Sequence, residues 1–204
     1  MEIQILHWFE SLHNPILNPV MYAITSLGDK GLFWILMAVL CMTLLPKKYR
    51  KVGFTMLIAL VLSVIFCNII MKNIWHRPRC FWVNGQPLTV SGEFENLYNI
   101  FNSIGDYSFP SGHTSASFAA ALAIFMWRKR EGIYAIVLAA LIAVSRLYLT
   151  VHYPTDVLVS LILGSLYGIA AYYIAKWLFK KFPAFGEVME GRASYKTLIH
   201  RQSN

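Results

Sequence analysis

The chain has 204 residues, of which 57% are hydrophobic and 14% charged, with a mean hydropathy of +0.51. Soluble domains average about 25% charged residues, so this composition excludes a soluble globular domain and describes one membrane-embedded unit. The net charge is +8, but its placement, taken up below, makes it a topology signal and no nucleic-acid patch.

Residues 1–28 form the first region. No basic residue precedes the first apolar stretch after Met1, an argument against a secretory signal peptide. Ile3, Ile5, Leu6, Phe9 and Leu12 recur at helical spacing, and Trp8 suits a lipid–water boundary, so an interfacial amphipathic helix is expected. Pro15 and Pro19 interrupt it, and Val20 to Leu27 is too short to cross a membrane alone. The second piece therefore reads as partly inserted; a sixth span here would carry the N-terminus to the cytoplasm.

Five apolar stretches follow, at about residues 31–46, 52–72, 113–127, 132–149 and 156–179. Backbone polar groups in lipid must be satisfied within the segment, so each is a helix. The expected fold is all-α, an integral membrane bundle of five to six transmembrane helices. The first and third stretches are short and draw on flanking residues. Gly164 and Gly168 form a small-xxx-small pair that admits a close neighbour. Cys41, Cys67 and Cys80 show no paired spacing for a disulfide or zinc site, and the first two read as small packing residues.

The basic residues orient the bundle. Lys47, Lys48, Arg50 and Lys51 separate the first two spans, Arg128, Lys129 and Arg130 separate the third and fourth, and Lys176, Lys180, Lys181, Arg192, Lys196 and Arg201 close or follow the fifth. Positive-inside bias places these regions in the cytoplasm, with the tail 182–204. Lys30, Lys72, Arg77, Arg79 and Arg146 then fall on the outer face, with a polar loop, residues 80–109, that carries Gly85, Pro87, Gly92 and Gly105 and reads either as a functional lid or as a simply mobile segment.

Three polar clusters converge on that outer face: Lys72, Arg77 and Arg79 at the end of the second span, Pro110-Ser111-Gly112-His113 opening the third, and Ser145-Arg146 with His152 and Asp156 joining the fourth to the fifth. Lys72, Arg79 and Arg146 are fixed cations, and guanidinium groups grip phosphate oxygens in pairs. Ser111 and Gly112 offer the free N–H groups of a helix start, and Gly112 lets an anion approach the backbone. This is a phosphate cradle. His152 and Asp156 lie one helical turn apart, with Pro154 suited to a first turn. Asp156 is expected to hold one ring nitrogen of His152 while the other attacks phosphorus, giving a phosphohistidine. His113 is expected to protonate the leaving oxygen and later to activate water. The remaining acids on this side, Asp29, Glu93, Glu95 and Asp106, are sparse, and the three cations do the electrostatic work of a metal. No metal and no cofactor are expected. Arg77 and Lys30 read as snorkelling anchors, and Ser145 as a residue bonding its own helix.

These residues resemble the type 2 phosphatidic acid phosphatase superfamily. Its first motif is Lys, six residues, Arg-Pro; here Lys72 and Arg79 keep that spacing, but Cys80 stands where the family has proline and Pro78 precedes the arginine. The other two, Pro110-Ser-Gly-His113 and Ser145-Arg-x5-His152-x3-Asp156, are complete. The likeness spans roughly residues 20–180. It implies His152 as nucleophile, Asp156 as its partner, His113 as acid, and Lys72, Arg79, Ser111, Gly112 and Arg146 as phosphate ligands. It implies a bundle of about six helices without a metal, acting on undecaprenyl pyrophosphate, phosphatidylglycerol phosphate or phosphatidic acid. The partners expected are therefore a lipid phosphate or pyrophosphate and the surrounding membrane lipids, with no nucleic acid; oligomeric state is not legible.

Three other readings compete with this one. Vanadium haloperoxidases look similar at these motifs, but they are soluble. A phosphotransferase would use the same phosphohistidine with a lipid or sugar acceptor in place of water. A transporter would place its charges mid-span, whereas these sit at span ends.

Overall fold

The computed structural model describes residues 1–80 and 107–192, with the backbone of 82–83 and 86–87. The outer-loop residues Glu93, Glu95 and Asp106, like Lys196 and Arg201 of the tail, lie outside the described residues. Eight helices are labelled here in chain order: α1 (Glu2–Ser11), α2 (Leu17–Ser26), α3 (Leu32–Thr43), α4 (Lys47–Trp75), α5 (Gly112–Trp127), α6 (Lys129–Tyr148), α7 (Pro154–Lys181) and α8 (Pro183–Met189). A two-residue antiparallel pair joins 82–83 to 86–87. Among the described residues the remainder is helical or irregular.

Three helices, α4, α6 and α7, are individually long and apolar enough to cross a membrane. The predicted first span, residues 31–46, does not stand alone: α3 has 12 residues and is joined to α2, the piece expected to be partly inserted. Helices α2 and α3 pass the same test only together, bent by 42° at a break where Lys30 (φ 49) and Gly31 (φ 69) are left-handed. The sequence marks this break with Gly28-Asp-Lys-Gly31, since glycine takes that conformation without strain. Helix α5, the predicted third span, has 16 residues. Its first two residues, Gly112 and His113, line the cavity described in the next subsection.

Helix α5 sits at the centre, packed against α4, α6 and α7. Ala119, Ala120, Ala121 and Ala123 are fully buried on it. Small residues on every side let three neighbours come close without a hydrophobic drive between helices in lipid. The glycine pair on α7 does what its spacing implied. A Cβ on Gly164 would lie 2.4 Å from the Ser115 carbonyl oxygen, and one on Gly168 2.6 Å from that of Ala119. Cys41 and Cys67 are buried in the packing, as expected.

The basic loops meet at one end of the bundle. Tyr49 donates to Glu131 at 3.1 Å, Arg128 donates to the same carboxylate at 2.7 Å, Lys51 lies 4.4 Å from the Trp127 ring, and Gly191 packs on Lys47. The opposite end is closed by the N-terminal helices. Tyr148 donates to Asn18 at 2.6 Å, and Glu2 on α1 accepts from the backbone N–H of Thr155 at 3.1 Å.

Replacing Gly164 with Val should force α5 and α7 apart and cost about 1–3 kcal/mol of stability. Thermal unfolding in detergent is the check, with the lipid-facing Ile162→Val as a neutral control.

Candidate active site

Helix α4 carries the first arm of the site, and its geometry departs from a plain α-helix. From Val64 to Met71 it is a π-helix. In an α-helix each step of four residues overshoots a full turn by about 40°. A π turn holds more residues, so there the same step falls short, and the two errors offset each other. Leu60, Val64, Asn68 and Lys72 consequently all line one cavity. The chain then turns at His76 (φ 44) and returns through Arg77 and Arg79.

The second arm is the start of α5. Ser111 caps it, accepting weakly from the Thr114 N–H at 3.5 Å and sharing a hydrogen bond with the Thr114 hydroxyl at 3.0 Å. Ser111 is fully buried and its hydroxyl is spent on the helix, so it is not among the cavity-lining residues; Gly112 and His113 are. Gly112 is required by crowding, because a Cβ there would sit 2.7 Å from the Asn68 side-chain oxygen.

The third arm is the strap between α6 and α7. Thr150 is left-handed (φ 52), a strained conformation for a β-branched residue and one that recurs at functional sites. Its carbonyl accepts from the Cys80 thiol at 2.7 Å. Burial, with the Asp156 carboxylate nearby, pushes that thiol up to about 12, so it is a donor and no nucleophile. Cys80 thus ties the first motif to the strap where the family has proline.

These arms enclose a cavity of about 360 Å³. Of the eight residues expected in the site, Lys72, Arg79, Gly112, His113, Arg146 and His152 line it. Ser111 and Asp156 stand behind them. His152 is 1% exposed and Asp156 fully buried. The Arg79 guanidinium donates to the Val151 carbonyl at 3.0 Å and lies 3.5 Å from His152 Nε2. Arg146 is 2% exposed and donates to the Thr25 hydroxyl of α2 at 2.7 Å. Burial first, then Arg79, Arg146 and Lys72, hold the His152 pKa well below 6.5, because each disfavours another positive charge.

The partnership of His152 and Asp156 differs from the expectation. Their closest atoms, Nδ1 and Oδ2, are 3.6 Å apart, beyond a hydrogen bond. Ser108 reaches both: its hydroxyl donates to Asp156 Oδ2 at 2.5 Å and lies 3.5 Å from His152 Nδ1. The Tyr153 N–H donates to the same oxygen at 3.0 Å. Arg77, read from sequence as a snorkelling anchor, is instead a clamp. It donates to Asp156 Oδ1 at 2.6 Å, to Thr155 at 2.7 Å and to Glu2 at 2.9 Å, with its guanidinium 3.8 Å from the Tyr153 ring. The reason is energetic: a carboxylate inside a membrane bundle needs a cation, and Arg77 is the one that meets it.

His113 has a partner that sequence reasoning did not assign. Its Nε2 is 2.7 Å from Asp29 Oδ1 at the break between α2 and α3. Gly28 makes room for the ring, since a Cβ there would be 2.6 Å from His113 Cδ2. The one hint in sequence was an acid opening an apolar stretch. Ser145 bonds the Ile142 carbonyl of its own helix at 2.7 Å, as expected.

The sequence model of the PAP2 superfamily matches residues 48–180. A lipid A 4'-phosphatase of Bacteroides thetaiotaomicron is 29% identical over 184 residues, covering 86% of this chain and 77% of that protein. An undecaprenyl-diphosphatase of Sulfolobus acidocaldarius is 30% identical over 151 residues, 73% of this chain and 66% of its own. The solved transmembrane PAP2-type phosphatidylglycerolphosphate phosphatase from Bacillus subtilis superposes with a TM-score of 0.61 at 26% identity, covering 88% of this chain and 84% of that one. The chain belongs to the PAP2 superfamily and is a multi-pass membrane phosphatase. Its fold is the all-α bundle expected.

Arg77→Ala should lower kcat roughly 10²-fold by letting the carboxylate behind His152 shift. Arg77→Lys, which keeps the charge without the fork, should recover part of it. Wild-type turnover in both variants, measured as phosphate release, would show that Asp156 needs no clamp.

Proposed function

We propose that this phosphatase hydrolyses the terminal phosphate of a membrane lipid, a monoester or a diphosphate, through a phosphohistidine on His152. The observation that carries the reading is the position of His152 Nε2. It faces a cavity that Lys72, Arg79 and Arg146 line, while Nδ1 faces Ser108 and Asp156. A depressed pKa keeps the imidazole unprotonated, and the Ser108–Asp156 side favours the proton on Nδ1, leaving the Nε2 lone pair for phosphorus.

In the first step Nε2 bonds to phosphorus and the lipid oxygen departs with the bonding electrons. His113 supplies its proton, with the ring held by Asp29. Charge on the equatorial oxygens meets Lys72, Arg79, Arg146 and the N–H groups that open α5. In the second step water attacks phosphorus, His113 takes its proton, and the His152 N–P bond breaks to release phosphate. Three cations and a helix start supply the electrostatic stabilisation, so the reaction runs without a divalent metal.

The apolar residues below the cations, Leu60, Val64, Ile35 and Ala116, suit a substrate whose hydrocarbon stays in the bilayer. Lipid A, undecaprenyl diphosphate and phosphatidylglycerol phosphate, named for the relatives, all have that form. Positive-inside bias orients the site to the non-cytoplasmic face, with the C-terminus in the cytoplasm.

Phosphate release in detergent from these lipids, side by side, tests the reading. The wild type should turn over at least one of them in the presence of EDTA, and His152→Ala should fall to background while still inserting and unfolding normally. Activity in His152→Ala, or full inhibition by EDTA, would refute it. Because the His152 pKa is lowered and the unprotonated ring is the nucleophile, the acid limb of kcat/KM should lie below pH 6.5. A limb above that value would contradict the assignment.

A further inference from the structure

The phosphoryl cradle leaves two polar residues of the same cavity unused. Lys30 stands on the left-handed break between α2 and α3, and Asn68 on the π segment of α4. Both line the cavity, and no carboxylate does among the described residues. Asn68 has no hydrogen-bond partner among them. Its neighbours Ile65, Phe66, Ile69 and Ile70 are exposed to lipid. A carboxamide on such a stretch is costly unless something polar meets it.

Its level in the cavity says what that is. One wall runs Lys72, Asn68, Val64, Leu60 along α4, in that order from the end of the helix inward. The order is cation, amide, hydrocarbon, hydrocarbon. A lipid phosphate lying along it presents the transferred phosphoryl at Lys72 and its tail at Val64 and Leu60. The group between them, the leaving group, passes Asn68. Lys30 adds a fourth cation to the three that hold the phosphoryl, and a fourth cation calls for a second anion. Both side chains therefore fit a phosphate at the leaving-group position.

We propose that Lys30 and Asn68 form a second anion subsite that holds the inner phosphate of a lipid diphosphate, which makes lipid diphosphates the preferred substrate class. The proposal rests on the reading of the cavity as a phosphoryl-transfer site. The His152 N–P bond forms as the bridging P–O bond breaks, and the electron pair leaves on the bridging oxygen. The inner phosphate gains that negative charge, which the Lys30 ammonium and the Asn68 amide N–H stabilise as it develops. Water then releases inorganic phosphate, and the other product is the lipid monophosphate.

The test uses a prenyl diphosphate and the prenyl monophosphate of the same chain length, in detergent, with the full-length wild type, Lys30→Ala, Asn68→Ala and Asn68→Asp. The wild type should favour the diphosphate in kcat/KM. Lys30→Ala and Asn68→Ala should lower that preference about tenfold or more, the scale of one charge-assisted hydrogen bond. Asn68→Asp should lower it further by repelling the inner phosphate. A smaller fall, or a rise, overturns the subsite while leaving the phosphatase reading intact. A wild type inactive on both substrates overturns the phosphatase reading and the subsite with it. Where the α4 variants fail to fold, Lys30→Ala on the exposed break decides. Inorganic pyrophosphate should protect the wild type from thermal unfolding more than inorganic phosphate does, and that difference should vanish in Lys30→Ala. An unchanged difference counts against the proposal.

Discussion

A carboxylate with no exposure, buried in the first turn of α7, organises the catalytic end of this protein. Asp156 would be prohibitively costly there without compensation. It receives three donors from three segments: Ser108 ahead of α5, Arg77 after α4, and the Tyr153 N–H of the strap. Satisfying the charge therefore pins all three segments to one point. His152, one turn away, inherits that rigidity. Glu2 extends the network to α1 by meeting Arg77 and Thr155, so the N-terminal helix belongs to the same electrostatic unit.

Two departures from regular helix set the rest of the site. The π segment of α4 keeps Asn68 and Lys72 on one wall. The left-handed break between α2 and α3 brings Asp29 against His113 and Lys30 into the cavity. Each interrupts a helix that the membrane would otherwise favour unbroken, and each does so beside the cavity, where polar groups can satisfy the freed backbone. Arg146 is held from the side by Thr25 of α2, so the interrupted span both orients the acid histidine and steadies a phosphate-binding cation.

Much of this was legible in sequence because it depends on hydropathy and on three local motifs. The five apolar stretches, the Gly164–Gly168 contact and the convergence of Lys72, Arg79, His113, Arg146 and His152 all follow from span parity and charge. The rest depended on contacts between segments far apart in the chain. Nothing near Ser108 announced that it would stand between His152 and Asp156. Arg77 carried the signature of an interfacial anchor, and only the position of Asp156 made it a clamp. Asp29 pairs with a histidine 84 residues away. The π segment is written in no residue pattern that differs from an ordinary apolar helix, which is why Asn68 went unassigned.

The account stands on His152 as the residue that carries the phosphoryl group. The most direct measurement is to mix enzyme and lipid phosphate, quench in alkali, where a phosphorus–nitrogen bond on imidazole survives, and map the phosphate by peptide mass spectrometry. The account predicts the label on the peptide containing His152, and none in Asp156→Asn at the same early time. A label on His113, or phosphate release at full rate with no covalent species on the chain, would contradict it.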